Sequence, residues 1–243
     1  MPVLMLARGD KDARDLLRKA IEARYGNRPP AFDSLKVDFS GRVHTRIGPI
    51  KTWVPLDVTA QFHMPNQMRW DFTAKPAGVP VRRGVEAYDG TNLRTLSGSK
   101  PKLITDENAV SSLQRRLWAI AALLLTPLGD HFVDLNANGE RALIARNTQT
   151  DAAVDIQLME AADDNRLREV SVDCFNPDQN KQQRFILQPS EELASFDGLL
   201  LPTKVTAFWD DTEWFEMEPM AAESDPEIEE IVFTLGAKSA ENS

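Results

Sequence analysis

From residue 35 to residue 47 every second position is apolar or small. Leu35, Val37, Phe39, Gly41, Val43, Thr45 and Ile47 alternate with Lys36, Asp38, Ser40, Arg42, His44 and Arg46. A period of two predicts a long strand with one face buried and the other wet. The alternation returns in Leu56, Val58, Ala60, Phe62 and Met64, and again in Met68, Trp70, Phe72 and Ala74. Pro65-Asn66 between them predicts a hairpin turn. Phe62, Met64, Met68, Trp70 and Phe72 then share one apolar face, and parity puts Arg69 on the opposite one. Shorter strands are predicted over 85–88 and 92–96, joined at Asp89-Gly90. Others are predicted over 131–135, 141–147, 154–160, 166–175, 182–188, 200–209 and 213–220, with turns at NANGE, ADDN, NPDQN and WDDT.

The period becomes helical twice. DARDLLRKAIEARYG (12–26) places Leu16, Leu17, Ala20, Ile21 and Ala23 at helical spacing and stops at Gly26. DENAVSSLQRRLWAIAALLLTP (106–127) opens on a helix-starting Asp106 and stops at Pro127. On that helix Val110, Leu113, Leu117, Ile120, Ala121 and Leu124 share a face, with Gln114 and Arg115 pointing away. The fold class expected is mainly β (α+β). About a dozen antiparallel strands curl into a strongly curved sheet, and the N-terminal and mid-chain helices cover its concave apolar face. One domain is expected over 12–220, after a tail of 1–11 and before an acidic extension of 221–243.

Composition narrows the function. The 243 residues are 42% apolar and 27% charged, an ordinary balance for a folded chain with a sizeable core. A net charge of −9 argues against a nucleic-acid surface and against docking on anionic lipid. The single Cys174 excludes an intramolecular disulfide and a Cys-rich metal cage. No run approaches the roughly 20 apolar residues of a membrane-spanning helix. The opening MPVLMLA lacks a basic start, so it reads either as the stub of a trimmed signal or as an ordinary tip.

Several candidate chemistries have plainer readings. Asp134, Asn136, Asn138 and Gly139 are spaced like a calcium loop, but its twelfth position is Ala145 where a bidentate Glu is needed; a hairpin turn is the expectation. The acidic WDDTEWFEMEP reads as a solvated edge. His44 and His63 share the polar parity of neighbouring strands, where they are able to meet, yet two histidines make a poor metal site without a third ligand. Cys174 follows Asp173, which raises a thiol pKa, and reads as a structural thiol. Nucleophile-elbow, P-loop, zinc-protease and dinucleotide motifs are absent from the sequence.

The order of elements resembles the LolA/LolB-type lipoprotein carrier superfamily, in particular its outer-membrane lipoprotein-sorting relatives. The likeness is carried by MPNQMRW (64–70), YDGTNL (88–93), the mid-chain helix and FDGLLLPTKV (196–205), and it spans 12–220. It implies an unclosed antiparallel β-barrel whose helices form a lid over a hydrophobic cavity for acyl chains. It also implies a periplasmic or other cell-envelope location. The family's Arg before Pro-Asn, which latches the lid, is Met64 here. Apolar contact alone is therefore expected to hold the mid-chain helix shut.

The reading reached is a non-catalytic lipid- or acyl-chain carrier or chaperone without cofactor or metal. Its partners are an acyl chain or lipoprotein lipid moiety and an envelope protein. The expected cavity residues are Phe39, Phe62, Met64, Met68, Trp70, Phe72, Leu113, Leu117, Ile120 and Leu124. The alternative is an envelope scaffold or interaction module whose cavity is filled by its own side chains.

Overall fold

Most stretches with a period of two become strands. The computed structural model describes residues 6–47, 49–75, 82–159 and 164–235. The start of the chain, the strand end expected at Glu160 and the first part of the ADDN turn lie outside them.

The first half of the chain runs β1 (Arg8–Gly9), α1 (Lys11–Tyr25), β2 (Ser34–Ile47), β3 (Ile50–His63), β4 (Gln67–Ala74), β5 (Arg82–Tyr88), β6 (Leu93–Leu96) and β7 (Lys102–Ile104). Then α2 (Glu107–Ala122) leads to β8 (Val133–Ala137), β9 (Ala142–Asn147), β10 (Ala152–Leu158), β11 (Leu167–Asn176) and β12 (Lys181–Pro189). The chain continues through β13 (Leu193–Phe196), β14 (Leu199–Pro202), β15 (Val205–Trp209), β16 (Thr212–Ser224) and α3 (Ile231–Thr234).

Fourteen strands form one sheet in the order β1-β8-β9-β10-β11-β12-β15-β16-β2-β3-β4-β5-β6-β7. Every neighbouring pair is antiparallel except β1–β8. The two ends of this order do not pair, so the barrel stays unclosed. Its edges are strands of only two and three residues, short enough to offer little template to another chain. The return of β16 to pair with β2 joins the two halves of the chain at the middle of the sheet.

The register of β3 and β4 pairs Phe62 with Met68, Ala60 with Trp70 and Val58 with Phe72, which puts these side chains on one face. Gly41 sits opposite Met217 where β2 runs close beside β16. A Cβ there would lie 2.0 Å from the carbonyl oxygen of Glu216, against backbone that cannot yield.

The concave face is covered as its hydrophobicity requires. In α1, Ala13, Leu17, Ala20 and Ile21 are buried, and Gly26 ends the helix at φ 68°, a conformation glycine adopts without strain. In α2 the Asp106 carboxylate accepts from the amide of Asn108, an ordinary N-cap. The helix ends at Ala122 rather than at Pro127, because Leu125 turns to φ 64° before a 3-10 turn at Thr126–Gly129. Its polar side is also less free than a helical wheel suggests. Gln114 does not point away; its amide donates to the Tyr88 hydroxyl at 2.5 Å, and the Tyr88 ring is fully buried. Arg115 donates to the carbonyl of Asp173, and Trp118 to that of Ala145.

The remaining differences lie at short elements. The strand expected over 200–209 is split into β14 and β15, and β14 pairs with β13 as a separate two-stranded hairpin. The sheet uses Arg8–Gly9 at one end of the chain and reaches Ser224 at the other. The last apolar run forms α3, which lies against β4 and β5 with Phe233 buried. Arg69 is on that outer side, paired with Asp71 at 2.6 Å and donating to the Val232 carbonyl at 3.3 Å.

Side-chain parity is directly testable. Phe62 is 2% exposed, so Phe62→Ala is expected to cost about 3–5 kcal/mol, the range for a buried aromatic. Trp70 is half-buried and Trp70→Ala is expected to cost less. Arg69→Ala, which removes one charged donor to the outer helix, is expected to cost about 1–2 kcal/mol. Urea unfolding measures all three. An Arg69 loss equal to that of Phe62 would reverse the assignment of faces.

Candidate ligand cleft

Where α2 ends above the centre of the sheet, a narrow cleft remains between the covering elements. β2 contributes Leu35, Val37 and Phe39; β3 and β4 contribute Phe62 and Trp70. The end of α2 adds Ile120, Leu123 and Leu124. From the other half of the chain come Leu187, Leu201, Pro202, Val205, Phe215, Met217 and Pro219. Every lining side chain is apolar. The cleft volume is about 80 Å³, well below the ~300–1,000 Å³ of ordinary small-molecule sites.

Five of the ten residues expected at the cavity meet here: Phe39, Phe62, Trp70, Ile120 and Leu124. The rings of Phe39 and Trp70 stack with centroids 6.5 Å apart. The other five lie elsewhere. Met68, Leu113 and Leu117 are buried in the continuous core, and Met64 packs against its rim. Phe72 lies over Gly84 and faces a broad open groove of about 780 Å³ along β2–β6. The carboxylates of that groove have partners: Asp38 accepts from Thr59, Asp57 pairs with Lys75, and Asp71 pairs with Arg69.

Parity along β2–β4 made one wall of the cleft legible. The opposite wall from β12 and β14–β16 was not, because the pairing of β16 with β2 joins residues some 170–190 positions apart, beyond any local pattern.

The lid is not held by apolar contact alone, as Met64 in the latch position led us to expect. Arg24, one residue before the end of α1, donates to the Leu123 carbonyl and, through Nε at 3.1 Å and Nη2, to the Leu200 carbonyl. The Tyr25 hydroxyl reaches the carbonyls of Leu124 and Leu200 at 3.3 and 3.4 Å. One Arg-Tyr pair thus ties the end of α2 to the β13–β14 hairpin. It also satisfies a carbonyl left without a helical partner. Burial lowers the Arg24 pKa from its ordinary value and raises that of Tyr25. The only local signal in the sequence was an Arg-Tyr directly before the helix-ending Gly26.

The other candidates resolve as structure. His44 stacks on Trp53 with centroids 5.1 Å apart, and His63 shares a hydrogen bond with Ser34. They occupy opposite ends of the β2–β3 pair and do not meet. Cys174 is buried, and burial is the main cause of its raised pKa. Asp210 forms a turn, accepting from Gln183 and from the Arg184 amide. Among the described residues no cluster of His, Cys, Asp or Glu is arranged to hold a metal ion, and no helix is long and apolar enough to cross a membrane.

Comparison with known proteins places this architecture. No family model and no curated protein matches the sequence. Solved structures do match in fold. An outer membrane lipoprotein-sorting protein domain from Vibrio parahaemolyticus superposes over 92% of this chain and 97% of its own, with a TM-score of 0.51 and 10% identity. A DUF1329 family protein from Desulfovibrio piger also gives a TM-score of 0.51, over 92% and 98% of the two chains at 9% identity. A LolA superfamily protein from Nitrosomonas europaea covers 91% and 96% at a TM-score of 0.48 and 11% identity. The chain has the LolA-like fold, an open curved sheet with helices in its concavity.

Replacing Arg24 by Met keeps the stem and removes the donors. We expect a loss on the order of 2 kcal/mol, the scale of a hydrogen bond from a charged donor. Hydrogen exchange is expected to quicken at 123–125 and 199–202 before it changes in β9–β11. Unchanged exchange at both segments would show that the pair does not clasp them.

Proposed function

We propose that the protein is a carrier or chaperone of the cell envelope that shields one apolar chain, an acyl chain or the lipid moiety of a lipoprotein, without catalysis. The observation that supports this most is the cleft itself. Its walls are entirely apolar, and its roof consists of a helix end and a hairpin outside the main sheet, joined through side-chain hydrogen bonds. Such a roof moves without breaking a strand ladder. An apolar chain supplies the energy for that movement: each methylene buried contributes about 0.8 kcal/mol, so four or five exceed the cost of one clasp. The fold shared with a lipoprotein-sorting domain agrees with an envelope setting.

On this reading the five predicted residues at the cleft touch the chain, while Met64, Met68, Phe72, Leu113 and Leu117 hold the surrounding walls. The closed volume of about 80 Å³ favours one different reading, a scaffold with a packed interior. A fluorescent fatty acid such as dansyl-undecanoic acid separates the two. Wild type is expected to bind it, and Leu124→Asp, checked by circular dichroism for an intact fold, to bind at least about tenfold more weakly because a charge then faces the apolar site. Arg24→Met is expected to bind faster. If wild type takes up no apolar probe, the interior is packed and the scaffold reading replaces the carrier.

A further inference from the structure

The seam between the two halves of the chain does not run the full length of the sheet. Between the pairs Ala207↔Phe215 and Phe208↔Glu213, β16 carries one residue more than β15, and that extra residue is Trp214. A bulge of this kind bends its strand and ends pairing. Pairing of β16 with β2 accordingly stops at Phe215↔Val43. β2 runs on to Ile47 with β3 alone beside it, from His44↔Trp53 to Ile47↔Ile50. In an antiparallel pair every second residue turns its N–H and C=O away from the partner. From His44 to Ile47, β2 therefore offers an unpaired strand edge on the side of β16.

Between this edge and the diverging β16 lies a mouth of about 490 Å³, within the range of ordinary ligand sites. Trp209 and Trp214 supply its apolar surface, with ring centroids 5.8 Å apart. The indole Nε1 of Trp209, a residue only 4% exposed, is buried and has no acceptor among the described residues. Arg46 and Lys51 stand on the β2–β3 side of the mouth; Asp178, from the β11–β12 turn, and Glu213, from β16, stand on the others. None of these four side chains forms an ion pair among the described residues.

A matching ligand carries N–H and C=O groups at strand spacing, an apolar group for the tryptophans, and charge of either sign. An extended polypeptide has all three. We infer that the mouth receives an extended segment of another polypeptide, which adds a short strand to the edge of β2 beyond Val43. The residue opposite Thr45 shares the inner face of Val43 and meets the tryptophans, so an apolar side chain fits there. Its neighbours point outward, between Arg46 and Glu213. A second copy of this chain fits less well: joined edge to edge, two copies lay His44, Arg46 and Lys51 of each hairpin beside the same residues of the other, and like charges side by side are destabilising. The mouth shares no lining residue with the apolar cleft, so the inference does not depend on the carrier reading.

The blocked heptapeptide acetyl-Thr-Lys-Val-Thr-Val-Glu-Thr-amide probes this site, with valines on one face and one charge of each sign on the other. Isothermal titration of the native chain is expected to register binding. Hydrogen exchange is expected to slow at 44–46 and to stay unchanged at 120–125. Two analogues, N-methylated at both valines or at the lysine, central threonine and glutamate, keep every side chain, and each lacks the N–H groups of one edge. At least one of them is expected to bind about tenfold more weakly, the loss of one or two backbone hydrogen bonds. Deleting Trp214 removes the bulge and lets β16 continue along β2. That variant, its fold checked by circular dichroism, is expected not to bind the peptide. Failure of the parent peptide to bind overturns the proposal. So does parent-like binding of both analogues, which leaves side-chain contact alone, or binding retained by the folded deletion variant. Concentration-dependent dimerisation of the native chain that protects 44–46 overturns it as well, placing a second copy on the edge.

Discussion

An antiparallel sheet of fourteen strands that never closes presents a concave face wider than its own side chains span, and the other elements of the molecule answer that constraint. A barrel of about eight strands fills its centre with residues from its own walls. Here α1, α2 and the β13–β14 hairpin must supply the filling. Phe62, Met68, Leu113, Leu117 and Trp118 accordingly merge into one core. Filling from three separately tethered pieces leaves seams between them. The apolar cleft is the seam where the end of α2 and the β13–β14 hairpin meet the sheet.

The seams carry a second obligation. The end of a helix leaves carbonyls without partners, and in a dry interior each unpaired polar group is costly. At α2 the hydrogen bonds come from α1, through Arg24 and Tyr25, which bond the β13–β14 hairpin as well. Two pieces of roof therefore share one anchor, and an opening that releases one loosens the other. The donors that hold this roof come from α1. Met64 then completes the rim as an apolar residue.

Much of this was legible in the chain and some of it was not, for definable reasons. Strands of eight or more residues with one wet face advertise themselves through alternation, and β2, β3 and β4 did so, including the outward placement of Arg69. The two- to four-residue strands β1, β7 and β13 carry too few positions to show a period; their pairing is set by what lies beside them. The stop of α2 at Ala122 was hidden because Leu123, Leu124 and Leu125 continue the apolar run while the backbone leaves the helix. Parity assigned Met68, Leu113 and Leu117 correctly to the interior. It does not separate a residue packed in a core from one lining a gap. That distinction depends on the opposite wall, which topology brings from the far half of the chain.

The same topology explains why identity near 10% accompanies a shared fold. What must persist is the order of elements and the alternation along long strands, and both tolerate wide exchange among apolar residues. Two charged side chains stand apart from that apolar pattern: Arg24, which ties the covers together, and Arg116, which breaks the uniformity of the interior. Both guanidiniums sit within the concavity, yet their surroundings differ. Arg24 is bonded to backbone oxygens and completes a closed roof, whereas Arg116 faces the rings of two tryptophans. Without a bonded partner, a guanidinium is tolerable only where solvent or a ligand reaches it. Arg116, in the middle of α2, accordingly keeps part of its side chain exposed, while Leu123 and Leu124 close over the cleft.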